Sequence, residues 1–542
     1  MKKLLTIIAT LVVASFSLTG QRLPHHIEKI MNAVYGVSTL YVDSVDEEKL
    51  VEDAIKGMLE KLDPHSTYTD PKETKEATEP LQGEFEGIGI QFNMKEDTLY
   101  VIQTIPNGPS ERVGIMAGDR IVTVNDTTIA GVKMARRDIM KRLRGKKGTS
   151  VTVQVKRRGA KELITFRITR DKIPLHTVDA SYMLDDRTGY VRISSFGAKT
   201  HDEVMEALDK LTRQGMKQLV IDLSDNGGGY LQAAVDLCNE FLDAGQLIVY
   251  TEGRATPRSE AYAQGNGRYR DLKLAVVVNQ FSASAAEIFS GAMQDWDRAV
   301  LVGRRTFGKG LVQRPLTYSD GSMIRLTVAH YYTPSGRCIQ KPYEKGNRKA
   351  YSDDLLDRER KGEYFHLDSI HLPDSLRYQT LLQHRPVYGG GGVMPDIYVP
   401  IDTSEYSTYY RDLMAKGIIN QFVVNYVDRH RDALKRQYAD VRDFDNRFEV
   451  TEADMAEFIA LGEKDSVHYD EAKYRTSERV FRTMIKGMIA RDVFADPGAY
   501  SVVVNHRNHE VKAALDVLND DQRFDLLLRE GNRDYERLVT KK

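Results

Sequence analysis

The apolar run 272–278 stops at Asn279, and the small residues of 282–286 then open a helical pattern in which Ile288, Ala292 and Met293 share one face. A buried strand that turns directly into a buried helix belongs in a layered α/β core. It also sets Ser284 at the turn, where backbone N–H groups lack partners and the helix dipole favours negative charge. A hydroxyl nucleophile is well served there, because a developing oxyanion would find donors already in place. No histidine occurs between Ser284 and Gln313, and the one candidate base in that stretch is Lys309, within Phe307-Gly308-Lys309-Gly310-Leu311-Val312. A lysine acts as a base when it is neutral, which apolar surroundings promote, and serine–lysine pairs are a known form of activated nucleophile.

The flanking pattern supports the same core. Strand candidates at 189–196, 218–223, 272–278 and 299–302 alternate with helical stretches at 201–213 and 231–242. Between one such strand and helix lies Asp222-Leu223-Ser224-Asp225-Asn226-Gly227-Gly228-Gly229-Tyr230, where a glycine run serves either as a plain turn or as a source of amides for an anion. Gly303-Arg304-Arg305-Thr306-Phe307-Gly308-Lys309-Gly310 has phosphate-loop spacing, but Gly310 stands where a hydroxyl is needed to hold magnesium, and Pro315 interrupts the required helix.

These two segments, Ser282-Ala283-Ser284-Ala285-Ala286-Glu287 and Gly308-Lys309-Gly310-Leu311-Val312-Gln313, resemble those of the C-terminal processing peptidases, PDZ-containing serine peptidases with a Ser–Lys dyad. The resemblance runs from about Ile27 to Pro400 and departs at Ala286, where many members have serine. It implies Ser284 as nucleophile, Lys309 as general base, and supporting polar roles for Glu287 and Gln313. Backbone N–H groups near Gly228 and of Ala285 would form the oxyanion hole. The implied fold is a crotonase-like α/β core with an inserted PDZ-like β-rich domain; after Thr403 apolar faces such as Ile419, Phe422, Val423, Tyr426 and Val427 predict a helical C-terminal domain. Leu62-Asp63-Pro64-His65-Ser66 also resembles a segment of the family, with His65 expected to make a structural hydrogen bond.

Strand patterns at 88–92, 98–102, 120–124, 150–156 and 164–169, with turns rich in Gly, Asn and Asp, mark a small β domain. Within it Gly87-Ile88-Gly89-Ile90 resembles the carboxylate-binding loop of PDZ domains, and Ala117-Gly118-Asp119-Arg120-Ile121 a second part of that fold. Glycines there let successive N–H groups face a chain-terminal carboxylate while the peptide adds as a strand.

At 542 residues the chain needs several cores. The expected division is a signal peptide at 1–20, a helical segment at 21–82, a PDZ-like domain at 83–172, a catalytic core at 173–403 with a polar surface insertion at 343–381, and a helical accessory domain at 404–542. The signal reading rests on Lys2 and Lys3, the apolar run 4–13 and small residues to Gly20, and implies export to the periplasm or cell envelope. An uncleaved anchor is its alternative. A net charge of -1 gives no reason to expect nucleic acid, and two cysteines exclude a disulfide framework. The scattered histidines make no metal motif, so neither metal nor cofactor is expected. Expected partners are proteins or peptides with exposed C-termini, with room for an activating adaptor and for a homo-oligomer through the C-terminal helices. The alternative function is a catalytically silent peptide-binding scaffold.

Overall fold

A computed structural model describes residues 24–540 apart from 96, 495, 497, 533–534 and 536–537. The expected signal at 1–20 lies outside the described residues. The chain divides into two compact units: one takes residues through 74 with 313–327 and 343–352, the other 75–312, 328–342 and 353–542.

In the first unit two helices, His25–Leu40 and Glu47–Glu60, precede the strand Thr67–Thr69, which pairs antiparallel with Met323, Ile324 and Arg325. Pro64 bars helix before it, and the carboxylate of Asp63 then fastens the turn. It accepts from the His65 amide at 2.9 Å, the Ser66 amide at 3.0 Å and the Thr327 hydroxyl at 2.8 Å, and from the Ser66 hydroxyl. Burial pushes the Asp63 carboxyl up, but those donors outweigh it and hold the group below the usual range. His65 packs edge-on against Tyr351 with Nε2 2.9 Å from its hydroxyl, a structural role as expected.

In the second unit a six-stranded sheet runs in the order Val178–Met183, Thr188–Ile193, Gln218–Asp222, Lys273–Val278, Val300–Gly303, Ile397–Tyr398, antiparallel at the first pairing and parallel after it. Strands buried on both faces read as continuous apolar runs, which is why 272–278 was so legible. One face packs on the helices Thr200–Arg213, Leu231–Asn239 and Ala285–Asp295. Its other face is covered by His509–Asn519 and Asp521–Glu530 through Val511, Ala514, Val517, Leu518 and Phe524. The end of the 404–542 segment thereby forms a layer over this sheet, because Ala180, Tyr190, Val220, Ala275, Val277, Val300 and Val302 need an apolar cover. The accessory helices proper, from Thr408–Ala415 to Gly498–Val504, close a separate aromatic-rich core. Thr451 caps one of them, its hydroxyl accepting from the Asp454 amide at 3.2 Å.

The β domain is an antiparallel sheet in the order Ile90–Lys95, Thr98–Thr104, Arg120–Val124, Ser150–Lys156, Ile164–Thr169. The chain enters and leaves it through the antiparallel pair Glu84–Gly87 and Asp171–Pro174. The strand expected at 88–92 is split by Gly89, whose φ of +72° only glycine adopts readily. Tyr100 and Ile102 on the outer face of this sheet bury Val424 of the helix Ile418–Gln437, and Asp428 one turn on pairs with Arg120 at 2.7 Å.

The 343–381 stretch, expected on the surface, buries Arg358, Tyr364, Ile370 and Leu372. Its polarity misled because the arginine is buried with a carboxylate and with backbone carbonyls as acceptors. Both cysteines are free thiols. No helix among the described residues is long and apolar enough to cross a membrane.

Candidate active site

Ser284 sits between the strand Lys273–Val278 and the helix Ala285–Asp295, with φ +56° and ψ -115°. A non-glycine residue held there is strained by about 1–3 kcal/mol, which the surroundings must overcome. They do so by lacing two loops together. Ser282 Oγ accepts from the Asn279 amide at 2.9 Å and donates to the Leu223 carbonyl at 2.7 Å; the Ala283 amide donates to the Asn226 carbonyl at 2.8 Å. Asn279 and Asp225 exchange two more bonds, at 2.9 and 3.0 Å.

The glycine run therefore lies against the serine. A Cβ on Gly228 would come within 2.7 Å of the Ser284 Cβ and 2.9 Å of the Ala285 nitrogen, so only glycine fits. The Gly228 amide donates to Asn226 Oδ1 at 2.9 Å. The N–H groups of Gly229 and Ala285 have no acceptor among the described residues. Two unpaired donors beside a partly exposed hydroxyl are what an oxyanion would require.

Glu287 joins this turn to the lysine loop. It is wholly buried, and its Oε2 accepts from the amides of Ser284 at 2.8 Å and Lys309 at 2.9 Å. Oε1 accepts from the Gly308 amide at 2.7 Å and the Thr306 hydroxyl at 2.5 Å. One carboxylate thus fixes the backbone of both Ser284 and Lys309. From the opposite side the buried Tyr331 hydroxyl donates to the carbonyls of Ser284, at 3.1 Å, and Lys309. Both Ser284 and Lys309 are partly exposed.

Burial raises the Glu287 carboxyl from 4.5 to about 7 against the pull of its four donors. A raised carboxyl holds its proton more tightly in the folded chain than in the unfolded one, so its contribution is fully present below pH 4.5 and is lost as pH rises through about 7. That window is worth about 3 kcal/mol. Glu287→Gln cannot ionise and is expected to flatten this part of the profile. Thermal melting of parent and variant between pH 4.5 and 7 checks it; parallel profiles would contradict the assignment.

Gln313, also expected at the site, lies in the first unit, where its side-chain amide donates to the His65 carbonyl. The residues after Gly310 form the strand Leu311–Thr317 and not a helix, which removes the phosphate-loop reading. In the β domain Ile88 is buried with its carbonyl accepting from Ser110, while the amides of Ile88 and Gly89 have no acceptor among the described residues. Gly87 ends one strand and Ile90 begins the edge strand Ile90–Lys95, whose outer side pairs with no further strand among the described residues. No group of three His, Cys, Asp or Glu among the described residues could hold a metal.

Tyr331, Thr306 and Asn226 are the participants that sequence reasoning missed. Tyr331 lies in the strand Met323–Tyr332, where alternation marks it as core and nothing in the pattern reveals a hydroxyl bridging two distant carbonyls.

The serine turn, the glycine loop and the lysine loop thus meet in one α/β unit that also carries a small antiparallel β domain. Residues 187–346 match the model for peptidase family S41, 87–168 that for the PDZ domain, and 12–74 that for the activating protease CtpB N-terminal domain. Residues 409–496 match a family of unknown function. The chain is 36% identical over 324 residues to the carboxy-terminal processing protease CtpA of Bacillus subtilis (strain 168), covering 60% of this chain and 68% of that protein. It is 35% identical over 317 residues to CtpB of the same organism, covering 58% and 65%. A solved photosystem II D1 C-terminal processing protease is 31% identical, covering 57% of this chain and 89% of that one, with a TM-score of 0.33. The chain belongs to the carboxy-terminal processing proteases of peptidase family S41, and is a serine-type peptidase that cleaves proteins near their C-termini.

Proposed function

We propose that the peptidase works through a Ser284–Lys309 dyad on a crotonase-like core. The observation that carries this is the buried Glu287 carboxylate, which accepts from the backbone amides of both residues at 2.8 and 2.9 Å and so holds their loops in one register. Neutral Lys309 takes the Ser284 proton as the hydroxyl attacks a peptide carbonyl. The unpaired N–H groups of Ala285 and Gly229 hold the oxyanion; the Gly228 amide, expected there from the resemblance, is already taken by Asn226 Oδ1. Protonated Lys309 then donates to the leaving amine, and water enters the acyl-enzyme with the lysine again as base. Gln313 has a supporting polar role.

The PDZ domain takes the substrate's C-terminal carboxylate at Gly87-Ile88-Gly89-Ile90, with the peptide adding along Ile90–Lys95. Support comes from the two unpaired amides and the strand edge that pairs with no further strand among the described residues. The domains are proposed at 21–82, 83–172 and 173–403, with accessory helices after 404 whose last part rejoins the core. The chain is proposed to be exported, with an activating adaptor or a homo-oligomer through those helices as further partners.

The test uses an unfolded protein with an apolar C-terminus, free or amidated. The free form is expected to be cleaved about 10-fold or more faster at limiting substrate, since the amide forfeits a charge-assisted set of hydrogen bonds. Equal rates would contradict PDZ capture of the terminus.

A further inference from the structure

The lysine loop 306–309 has a second support opposite Glu287, and it comes from a helix that follows the segment matched to the S41 family. Arg358, near the end of the helix Arg348–Arg360, is 3% exposed. Its Nη1 donates to the Thr306 carbonyl at 2.8 Å, and its Nη2 to the carbonyls of Phe307 and Gly391 at 3.3 Å each. Its Nε lies 3.1 Å from Asp354 Oδ2 as an ion pair. The same Asp354 oxygen accepts from Lys341 Nζ at 2.9 Å, and that ammonium lies 4.1 Å from the centre of the Phe307 ring. The Lys341 amide donates to the Gly308 carbonyl at 2.9 Å. Arg305 completes the cluster by donating to the Gly391 carbonyl at 3.1 Å and to Glu363.

A short peptide is thereby gripped from two sides by an acceptor and a donor group. Its hydroxyl and amide donors, at Thr306, Gly308 and Lys309, go to the Glu287 carboxylate, and its carbonyls, at Thr306 and Phe307, go to the Arg358 guanidinium. A buried guanidinium needs acceptors for its fork of donors, and three converging carbonyls supply them. Surface decoration would not explain a cation this buried. The segment matched to the S41 family ends at 346, before this helix begins.

We propose that Arg358 is a positioning residue for the Lys309 base, supplied by this helix, with Asp354 orienting it. It touches no substrate. It fixes the loop from which Lys309 reaches Ser284, so its loss should act on turnover rather than on substrate binding. This rests on the dyad reading above.

The test is steady-state cleavage of the unfolded free-C-terminus substrate by Arg358→Ala, Arg358→Lys, Asp354→Asn and the control Arg360→Ala, an exposed position on the same helix. Arg358→Ala is expected to lower kcat by roughly 10–100-fold with KM within about threefold, the scale set by a misplaced catalytic group. Arg358→Lys should recover part of that loss, since an ammonium can still bond one or two of the carbonyls. Asp354→Asn should fall between them, and Arg360→Ala should match the parent. Melting curves select folded protein, and if Arg358→Ala does not fold, the lysine and asparagine variants carry the test. Parent-like kcat in the folded variants, or a loss confined to KM, overturns the proposal. Lys309→Ala run beside them separates the two readings: inactive Lys309→Ala with fully active Arg358→Ala rejects this inference alone, whereas parent-like Lys309→Ala rejects the dyad.

Discussion

Lys309→Ala is expected to reduce turnover by roughly 10⁴-fold while leaving KM and the melting temperature close to those of the parent. The magnitude follows from the loss of both proton transfers on a weak nucleophile, with the oxyanion donors left in place. Ser284→Ala should fall at least as far, and the double variant no further, since the losses of two residues in one proposed dyad are not expected to add. Stability should hardly move for the lysine, since Lys309 is tied into the fold through its backbone. Its amide donates to Glu287 and its carbonyl accepts from Tyr331. Steady-state kinetics of the three variants, read with their melting curves, checks this. A Lys309→Ala protein as fast as the parent would remove the base assignment.

Glu287→Ala is expected to be the most disruptive single change, lowering stability by about 3–5 kcal/mol together with a loss of nearly all activity. Truncation leaves four donors in a closed space without an acceptor: the Thr306 hydroxyl and the amides of Ser284, Gly308 and Lys309. The positive φ of Ser284 then has one restraint fewer, so the hydroxyl would no longer be held at the turn. Denaturant unfolding and kinetics on the folded fraction measure the two effects separately. Full activity per folded molecule would mean that Glu287 serves the fold alone. Glu287 therefore differs from Lys309 in kind, since one change costs structure and chemistry together and the other chemistry alone.

The sequence made the core legible where local pattern and burial agree. The run 272–278 is apolar throughout because its strand is covered on both faces, and the small residues after it had to make a tight turn. Ser284 and Lys309 stood out because chemistry restricts which residues can serve. What stayed hidden depends on long-range geometry. The helices at 509–530 have an apolar stripe that fits an accessory bundle as well as a sheet face, and periodicity does not say which partner it meets. Arg358 sits in a stretch so polar that composition reads it as solvated, and only the carbonyls of Thr306, Phe307 and Gly391 explain its burial. The hairpin of Leu247–Gly253 and Thr256–Tyr262 was missed because half of it is exposed and polar, which blurs alternation.

Catalysis through the proposed dyad requires Ser284 to form a covalent bond to substrate, and rapid acid quench of the peptidase during turnover, followed by proteolytic digestion and mass spectrometry, tests this directly. The expected result is substrate-derived mass on the peptide containing Ser284, absent from Ser284→Ala, which also cleaves nothing. Parent-like cleavage by Ser284→Ala, with no acyl group on the parent at any quench time, would contradict it.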